Sequence, residues 1–200
     1  ASTLWGKQRA AMGHPAPFNL KMLGVGNENW GPQYIERLKI FKDAIKSKYP
    51  AIKIVTSSGT DPDGERFDYL NRELRNMEAD IIDEHYYRKP EWFFNNARRY
   101  DNYPRNNTKI FCGEYAAQST GIASPDNKNN WLTALSEAAF MTGLERNADV
   151  VTMASYAPLF AHVDGWQWTP DLIWVNNLQS YGTPDYYVQK LFATNKGNKV

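Results

Sequence analysis

Two glutamates stand where a side chain could do acid–base or nucleophilic chemistry. Glu28 lies in Gly26-Asn27-Glu28-Asn29-Trp30-Gly31, just after the apolar run Phe18 to Val25, and Glu114 lies in Ile110-Phe111-Cys112-Gly113-Glu114-Tyr115. For a lone Glu at position 28 the plain structural reading is a carboxylate favoured by a helix macrodipole. Its neighbours argue for more: the glycines allow close approach, Asn27 supplies two donors and an acceptor, and Trp30 offers a stacking face. Such a cluster suits a polyol. A carboxylate at the end of an apolar strand, as Glu114 is, is costly unless it is paired or at the sheet's rim. Between the two comes Asp83-Glu84-His85-Tyr86-Tyr87, in which period-2 alternation puts Asp83, His85 and Tyr87 on one face and Glu84 and Tyr86 on the other. Taken singly, His85 reads as a satisfied core histidine, and Tyr86 and Tyr87 as packing.

Two carboxylates on different strands, with aromatics and amides around them, meet the needs of glycoside cleavage. One protonates the leaving oxygen and the other attacks or stabilises the anomeric centre. Other chemistries fit less well. His14, His85 and His162 share no ligand spacing, and Cys112 is the single cysteine, so neither a metal nor any other cofactor is expected. No Gly-x-Ser-x-Gly elbow is present for a serine hydrolase.

The remaining composition bounds the partners. Across 200 residues, 23 Lys and Arg face 22 Asp and Glu, a formal net charge of +1, which disfavours a nucleic-acid surface and points to a neutral substrate. With a mean hydropathy of -0.63 and no apolar run near the roughly 20 residues a span requires, no membrane segment is expected. Ala1 to Gly13 lacks the pattern of a signal peptide. The compartment and the oligomeric state are not legible.

Positioning these side chains requires strands that alternate with helices. Strands are expected at Phe18 to Val25, Ile52 to Ser57, Asp80 to Tyr87, Lys109 to Ala116 and Val150 to Tyr156. Helices are expected at Pro32 to Lys48, about Phe67 to Met77, Glu91 to Tyr100, Trp131 to Arg146, and from Thr183-Pro184-Asp185 to about Phe192. Right-handed βαβ crossovers and a parallel α/β sheet follow, with no linker to divide the chain. Gly24-Val25-Gly26-Asn27-Glu28 has a carboxylate where a dinucleotide fingerprint needs its third glycine, so an open nucleotide-binding sheet loses ground to a barrel. In barrels the reactive residues sit at strand C-termini.

The motifs around Glu28, His85 and Glu114, together with Ala154-Ser155-Tyr156-Ala157-Pro158-Leu159-Phe160, Trp168-Thr169-Pro170-Asp171 and Tyr181-Gly182-Thr183-Pro184, resemble the α-L-arabinofuranosidases of glycoside hydrolase family 51. The match covers nearly the whole chain. It implies a (β/α)8 TIM barrel of the clan A retaining glycosidases, whose acid/base Glu ends strand four and whose nucleophile Glu ends strand seven. On that resemblance Glu28 is the acid/base, Asn27 a contact to the sugar 2-hydroxyl, and Glu114 the nucleophile. The family's His-x-Tyr pattern falls on His85 and Tyr87, with Tyr87 bonding the nucleophile and Tyr86 the alternative. Trp30 joins the substrate contacts, and the loop with His162, Trp166 and Trp168 shapes the subsites.

With Phe18 to Asn27 as strand four, residues 1–200 hold strands four to eight of one catalytic domain, against about 250 residues for a whole barrel. The expected partners are therefore the missing N-terminal part of the barrel and an arabinose-containing polysaccharide or oligosaccharide. An endoglucanase of the same chemistry, or a non-catalytic carbohydrate-binding or structural fragment, is the alternative.

Overall fold

The computed structural model describes residues 2–197. A short helix, α1 (Leu4–Ala11), buries nothing and precedes the first strand. Next come β1 (Met22–Val25), α2 (Pro32–Lys48), β2 (Lys53–Ser57), α3 (Glu65–Asn76), β3 (Ile81–Arg88), α4 (Pro90–Asn95), β4 (Lys109–Ala117), α5 (Trp131–Arg146) and β5 (Val151–Ala154). β6 (Phe160–His162), β7 (Ile173–Val175), β8 (Ser180–Gly182) and α6 (Pro184–Thr194) complete the order.

The main sheet runs β1-β2-β3-β4-β5, every neighbouring pair parallel, so the strand order never doubles back as in an open doubly wound fold. The helices pack on one face. Leu38 of α2, Leu70 and Leu74 of α3, Phe93 of α4 and Phe140 of α5 join Ile54, Ile82, Ile110, Tyr86 and Tyr115 of the strands in one buried cluster. Phe140 is its hub, with ring centroids 5.4 Å from Phe93 and 5.5 Å from Tyr86, both edge-on. Such edge-to-face pairs add roughly 0.5–1.5 kcal/mol each beyond the area they bury.

Local chemistry sets the helix starts. Pro32 occupies the first turn of α2, where its missing N–H is no loss, after Gly31 at φ 84°. Asn130 and Thr133 form a reciprocal capping box on α5, and the Thr183 hydroxyl accepts from Tyr186 N on α6. α5 and α6 are also joined below the surface. Glu137 accepts from Ala117 N at 2.8 Å, and Asp185 accepts from the Thr133 hydroxyl at 3.1 Å. Both acids are fully buried, and burial, with the neighbouring carboxylate's charge adding to it at Glu137, pushes the pair upward.

Three expectations need correction. The first strand begins at Met22, because only Met22 to Val25 has a partner, Lys53 to Thr56, to pair with; Phe18 and Leu20 stay exposed. The helix expected at Glu91 to Tyr100 ends at Asn95, where the Asn96 side chain donates to Trp92 O and turns the chain. Finally, the stretch after β5 holds a second sheet, β6-β7-β8, of three-residue strands. Segments that short show no periodicity, and they form because β6 and β7 are paired across a long loop. Among the described residues no helix is long and apolar enough to cross a membrane.

Candidate active site

Glu28 is delivered by a tight turn after β1. Gly26, at φ 92°, has no room for a Cβ, which would lie 2.4 Å from Asn29 Oδ1, and that same oxygen accepts from Asn27 N at 2.8 Å. Glu28 itself is held at φ 54°, a left-handed conformation that a non-glycine residue adopts at a cost of order 1–3 kcal/mol. The Tyr34 hydroxyl of α2 fastens the turn from below. It donates to Val25 O and accepts from Ser57 N, both at 2.8 Å, and burial pushes it up to about 12, so it stays protonated.

Glu114 is placed by a bulge. Along β3 and β4, Glu84 pairs with Cys112 but His85 pairs with Glu114, which leaves Gly113 as the extra residue. In a regular strand Glu114 would share the face of Cys112; the bulge turns it to the face of His85. Only glycine fits there, since a Cβ on Gly113 would meet Asp83 Oδ1 at 2.0 Å.

The two elements converge on His85. Its Nδ1 lies 3.0 Å from Glu28 Oε1 and 3.5 Å from Glu114 Oε2, and its Nε2 lies 3.2 Å from Asp83 Oδ2. The Tyr87 hydroxyl donates to Glu114 Oε2 at 2.6 Å. Burial alone would lower the His85 imidazole. The hydrogen bonds to Asp83 and Glu28, with the charges of Asp83 and Glu114, outweigh it and hold His85 up to about 9. Burial, then the bond to Glu114, drives the Tyr87 hydroxyl far upward, which keeps it a donor.

One donor atom from each of Glu28, His85 and Glu114 lies within 4.8 Å of the other two, a spacing that could hold a cation. The imidazole nitrogens face carboxylates on both sides, Nδ1 toward Glu28 and Glu114 and Nε2 toward Asp83.

A cavity of about 470 Å³ opens over this cluster, lined by Glu28, Tyr87 and Glu114 together with Gln118, Ile122 and Trp168. Asp61 and Arg88 also line it, with Arg88 Nη2 3.7 Å from Asp61 Oδ1. The loop that carries Gln118 and Ile122 is organised by the buried Asn127 amide. It accepts from Thr120 N and Gly121 N and donates to Gln118 Oε1, Gly121 O and Thr169 O.

Two half-buried carboxylates, Glu28 and Glu114, line the cavity; their side chains are 34% and 30% exposed. Residues 1–105 match the family described as Alpha-L-arabinofuranosidase 1 domain, and residues 113–200 that described as Alpha-L-arabinofuranosidase C-terminal domain. The chain belongs to the α-L-arabinofuranosidase family. It is 50% identical to an extracellular exo-α-L-arabinofuranosidase of Streptomyces chartreusis, over all of this chain and 23% of that protein. It is 42% identical to α-L-arabinofuranosidase 2 of Arabidopsis thaliana, over 98% of this chain and 27% of the relative. The chain thus spans about a quarter of the length of these curated relatives. Among solved structures, an arabinose-bound family 51 α-L-arabinofuranosidase superposes with a TM-score of 0.81 at 36% identity, covering 99% of this chain and 32% of that one.

Within this family member, Glu28, His85, Tyr87, Glu114 and Trp168 come together at or beneath the cavity, and five other expected site residues do not. Tyr86 is a correction: it is fully buried on the opposite face of β3, bonded to Glu84 and Tyr100. Trp30 is not among the residues that line the cavity; it is exposed, with the Arg66 guanidinium 4.1 Å over its ring. Trp166 packs edge-on against Trp174, with centroids 6.3 Å apart, and Asn27 is exposed beside the turn; neither lines the cavity. His162 bonds Asn177 and Asp164 on the second sheet. Sequence reasoning missed Gln118, Ile122, Asp61 and Arg88. The one available signal was that Gln118 and Arg88 directly follow or end strands.

Proposed function

We propose that this chain carries the catalytic carboxylate pair of an α-L-arabinofuranosidase that removes terminal α-L-arabinofuranosyl residues with retention of configuration. The observation that carries the reading is the approach of Glu28 and Glu114, one carboxylate oxygen of each lying within 4.8 Å of the other, with both residues lining the cavity. Retaining glycosidases hold their pair about 5–5.5 Å apart, whereas inverting ones leave about 6.5–9.5 Å for a water.

In this reading Glu114 attacks the anomeric carbon. The Tyr87 hydroxyl and His85 hold its carboxylate toward the cavity. Glu28 gives its proton to the leaving oxygen as the glycosidic bond breaks, then takes a proton from the water that releases the sugar from Glu114. Trp168 and Gln118 line the space where the sugar and its aglycone would lie. The five parallel strands are read as strands four to eight of a (β/α)8 barrel, residues 1–200 forming one partial catalytic domain with Glu28 just past the C-terminus of β1 and Glu114 in the C-terminal half of β4. Other polypeptide would complete the wall beyond β1, and the substrate would be an arabinose-containing polysaccharide or oligosaccharide.

The test is chemical rescue in the intact protein, with 4-nitrophenyl α-L-arabinofuranoside as substrate. Azide should restore turnover to Glu28→Ala with retained configuration and to Glu114→Ala with inverted configuration. The opposite pattern would reverse the roles, and full activity in both variants would end the reading.

A further inference from the structure

β3 sends a third side chain to the face of His85 and Tyr87, and it does not reach the cavity. Asp83 lies beneath the imidazole, its Oδ2 3.2 Å from His85 Nε2, while its Oδ1 is buried with no hydrogen-bond partner. The Gly113 bulge gives this carboxylate its space, because a Cβ there would overlap Asp83 Oδ1. His85 is only 2% exposed, so water does not compete for its nitrogens. Asp83 only accepts, and in either state of the reaction one of Glu28 and Glu114 is ionised and only accepts, so a ring set between them donates from Nε2 to Asp83 and from Nδ1 to whichever glutamate carries the charge.

We infer that Asp83 is a positioning residue: from below, it fixes the His85 ring so that the opposite N–H is shared between Glu28 and Glu114. This inference rests on the catalytic reading of that pair. Its consequence concerns charge. When Glu114 bonds to the sugar it loses its negative charge, and Glu28 gains one as it releases its proton; the second half of the reaction reverses both. A cation 3.0 Å from one carboxylate and 3.5 Å from the other opposes the charge in either state without moving. Asp83 supplies the counter-charge that lets a buried ring carry that cation.

The surrounding groups leave this role to His85. On β3 the Tyr87 hydroxyl is committed to Glu114. From α2 the Tyr34 hydroxyl, and from β4 the Cys112 thiol, both feel the charge of Asp83 and are driven upward, chiefly by burial, so neither ionises. Arg88 of the cavity lining is turned to Asp61.

The experiment pairs imidazole ¹⁵N NMR of the intact protein with kcat/KM against pH on 4-nitrophenyl α-L-arabinofuranoside, in wild type and Asp83→Asn. The His85 signal is assigned by its loss in His85→Gln. Wild-type His85 should remain doubly protonated at pH 8. Removing an opposite charge at this distance lowers such a group by about 1–3 pH units, so Asp83→Asn should release the proton correspondingly earlier. Its kcat/KM should fall about tenfold at pH 8 and stay within about twofold at pH 5. A wild-type His85 that is neutral at pH 7 overturns the inference even if Asp83→Asn does not fold. So does an equal loss at every pH. Failure of the catalytic reading itself would show separately, as wild-type turnover in Glu28→Ala and Glu114→Ala.

Discussion

The two faces of β3 carry the same chemistry to opposite ends. Toward the helices, Glu84 is fully buried and accepts from the hydroxyls of Tyr86, Tyr100 and Tyr103, with Arg99 Nε 3.5 Å away. Toward the cavity, Glu114 accepts from the Tyr87 hydroxyl and lies near His85, but is 30% exposed. Both clusters join a carboxylate to tyrosine hydroxyls, three at Glu84 and one at Glu114, and these stay protonated because burial and the adjacent carboxylate oppose ionisation. The difference is access. Around Glu84 three hydroxyls converge on a fully buried carboxylate and the Arg99 guanidinium is enclosed by Phe67, Tyr86 and Trp92, so the cluster can only hold the fold. Around Glu114 one side opens on a cavity of about 470 Å³, so the carboxylate has somewhere to react.

The widest separation of the two faces should come from removing the carboxylates in turn. On the cavity side, Glu114→Ala should lower kcat on an aryl arabinofuranoside by on the order of 10⁴-fold or more, with the denaturation midpoint nearly unchanged. On the helix side, Glu84→Ala should cost about 3–5 kcal/mol in chemical denaturation, because it strands Arg99 and three hydroxyls in the interior. A Glu84→Ala protein of wild-type stability would erase the contrast.

The next effect is on pH dependence. His85 is held up to about 9 in the folded protein against about 6.5 unfolded, so the folded state binds the extra proton between those values. The stabilisation is whole below pH 6.5 and is lost as pH rises through about 9, roughly 3 kcal/mol in all. Urea titrations from pH 6 to 10 should show that decline in wild type and a flatter profile in His85→Gln. An equal decline in both would place its source elsewhere.

The smallest and sharpest comparison uses adjacent tyrosines. Tyr87→Phe removes the 2.6 Å donor to Glu114 and should lower kcat by about 10²-fold with little loss of stability. Tyr86→Phe removes a hydroxyl from the Glu84 cluster and should cost about 1–3 kcal/mol of stability with kcat within about twofold. Should the two substitutions exchange these effects, the faces have been read the wrong way round.

Much of this was legible in the chain. Pro32–Lys48 and Trp131–Arg146 carry helical periodicity between strong start and stop signals, and both helices form over those spans. The parallel order of the main strands follows from alternation with helices, since each crossover must return to the same sheet edge in one hand. The alternation in β3 also separates Asp83, His85 and Tyr87 from Glu84 and Tyr86, because side-chain direction along a strand is a local property.

Tertiary structure decided what local rules could not reach. Counting by twos from Cys112 sends Glu114 to the helix side; the Gly113 bulge, whose space Asp83 fills, returns it to the cavity. Which aromatic meets the cavity depends on neighbours distant in sequence, so Trp168 lines it, Arg66 covers a face of Trp30, and Trp166 packs on Trp174. The second sheet forms only because loop segments meet, and Asn127 becomes a hub only once Gln118 and Thr169 are beside it. Composition and periodicity determined most elements of the main sheet and its helices and named the carboxylates, because those signals are carried within a few residues. The distance between Glu28 and Glu114, and the histidine set between them, exist only where three strands converge, and no short stretch of sequence encodes that convergence.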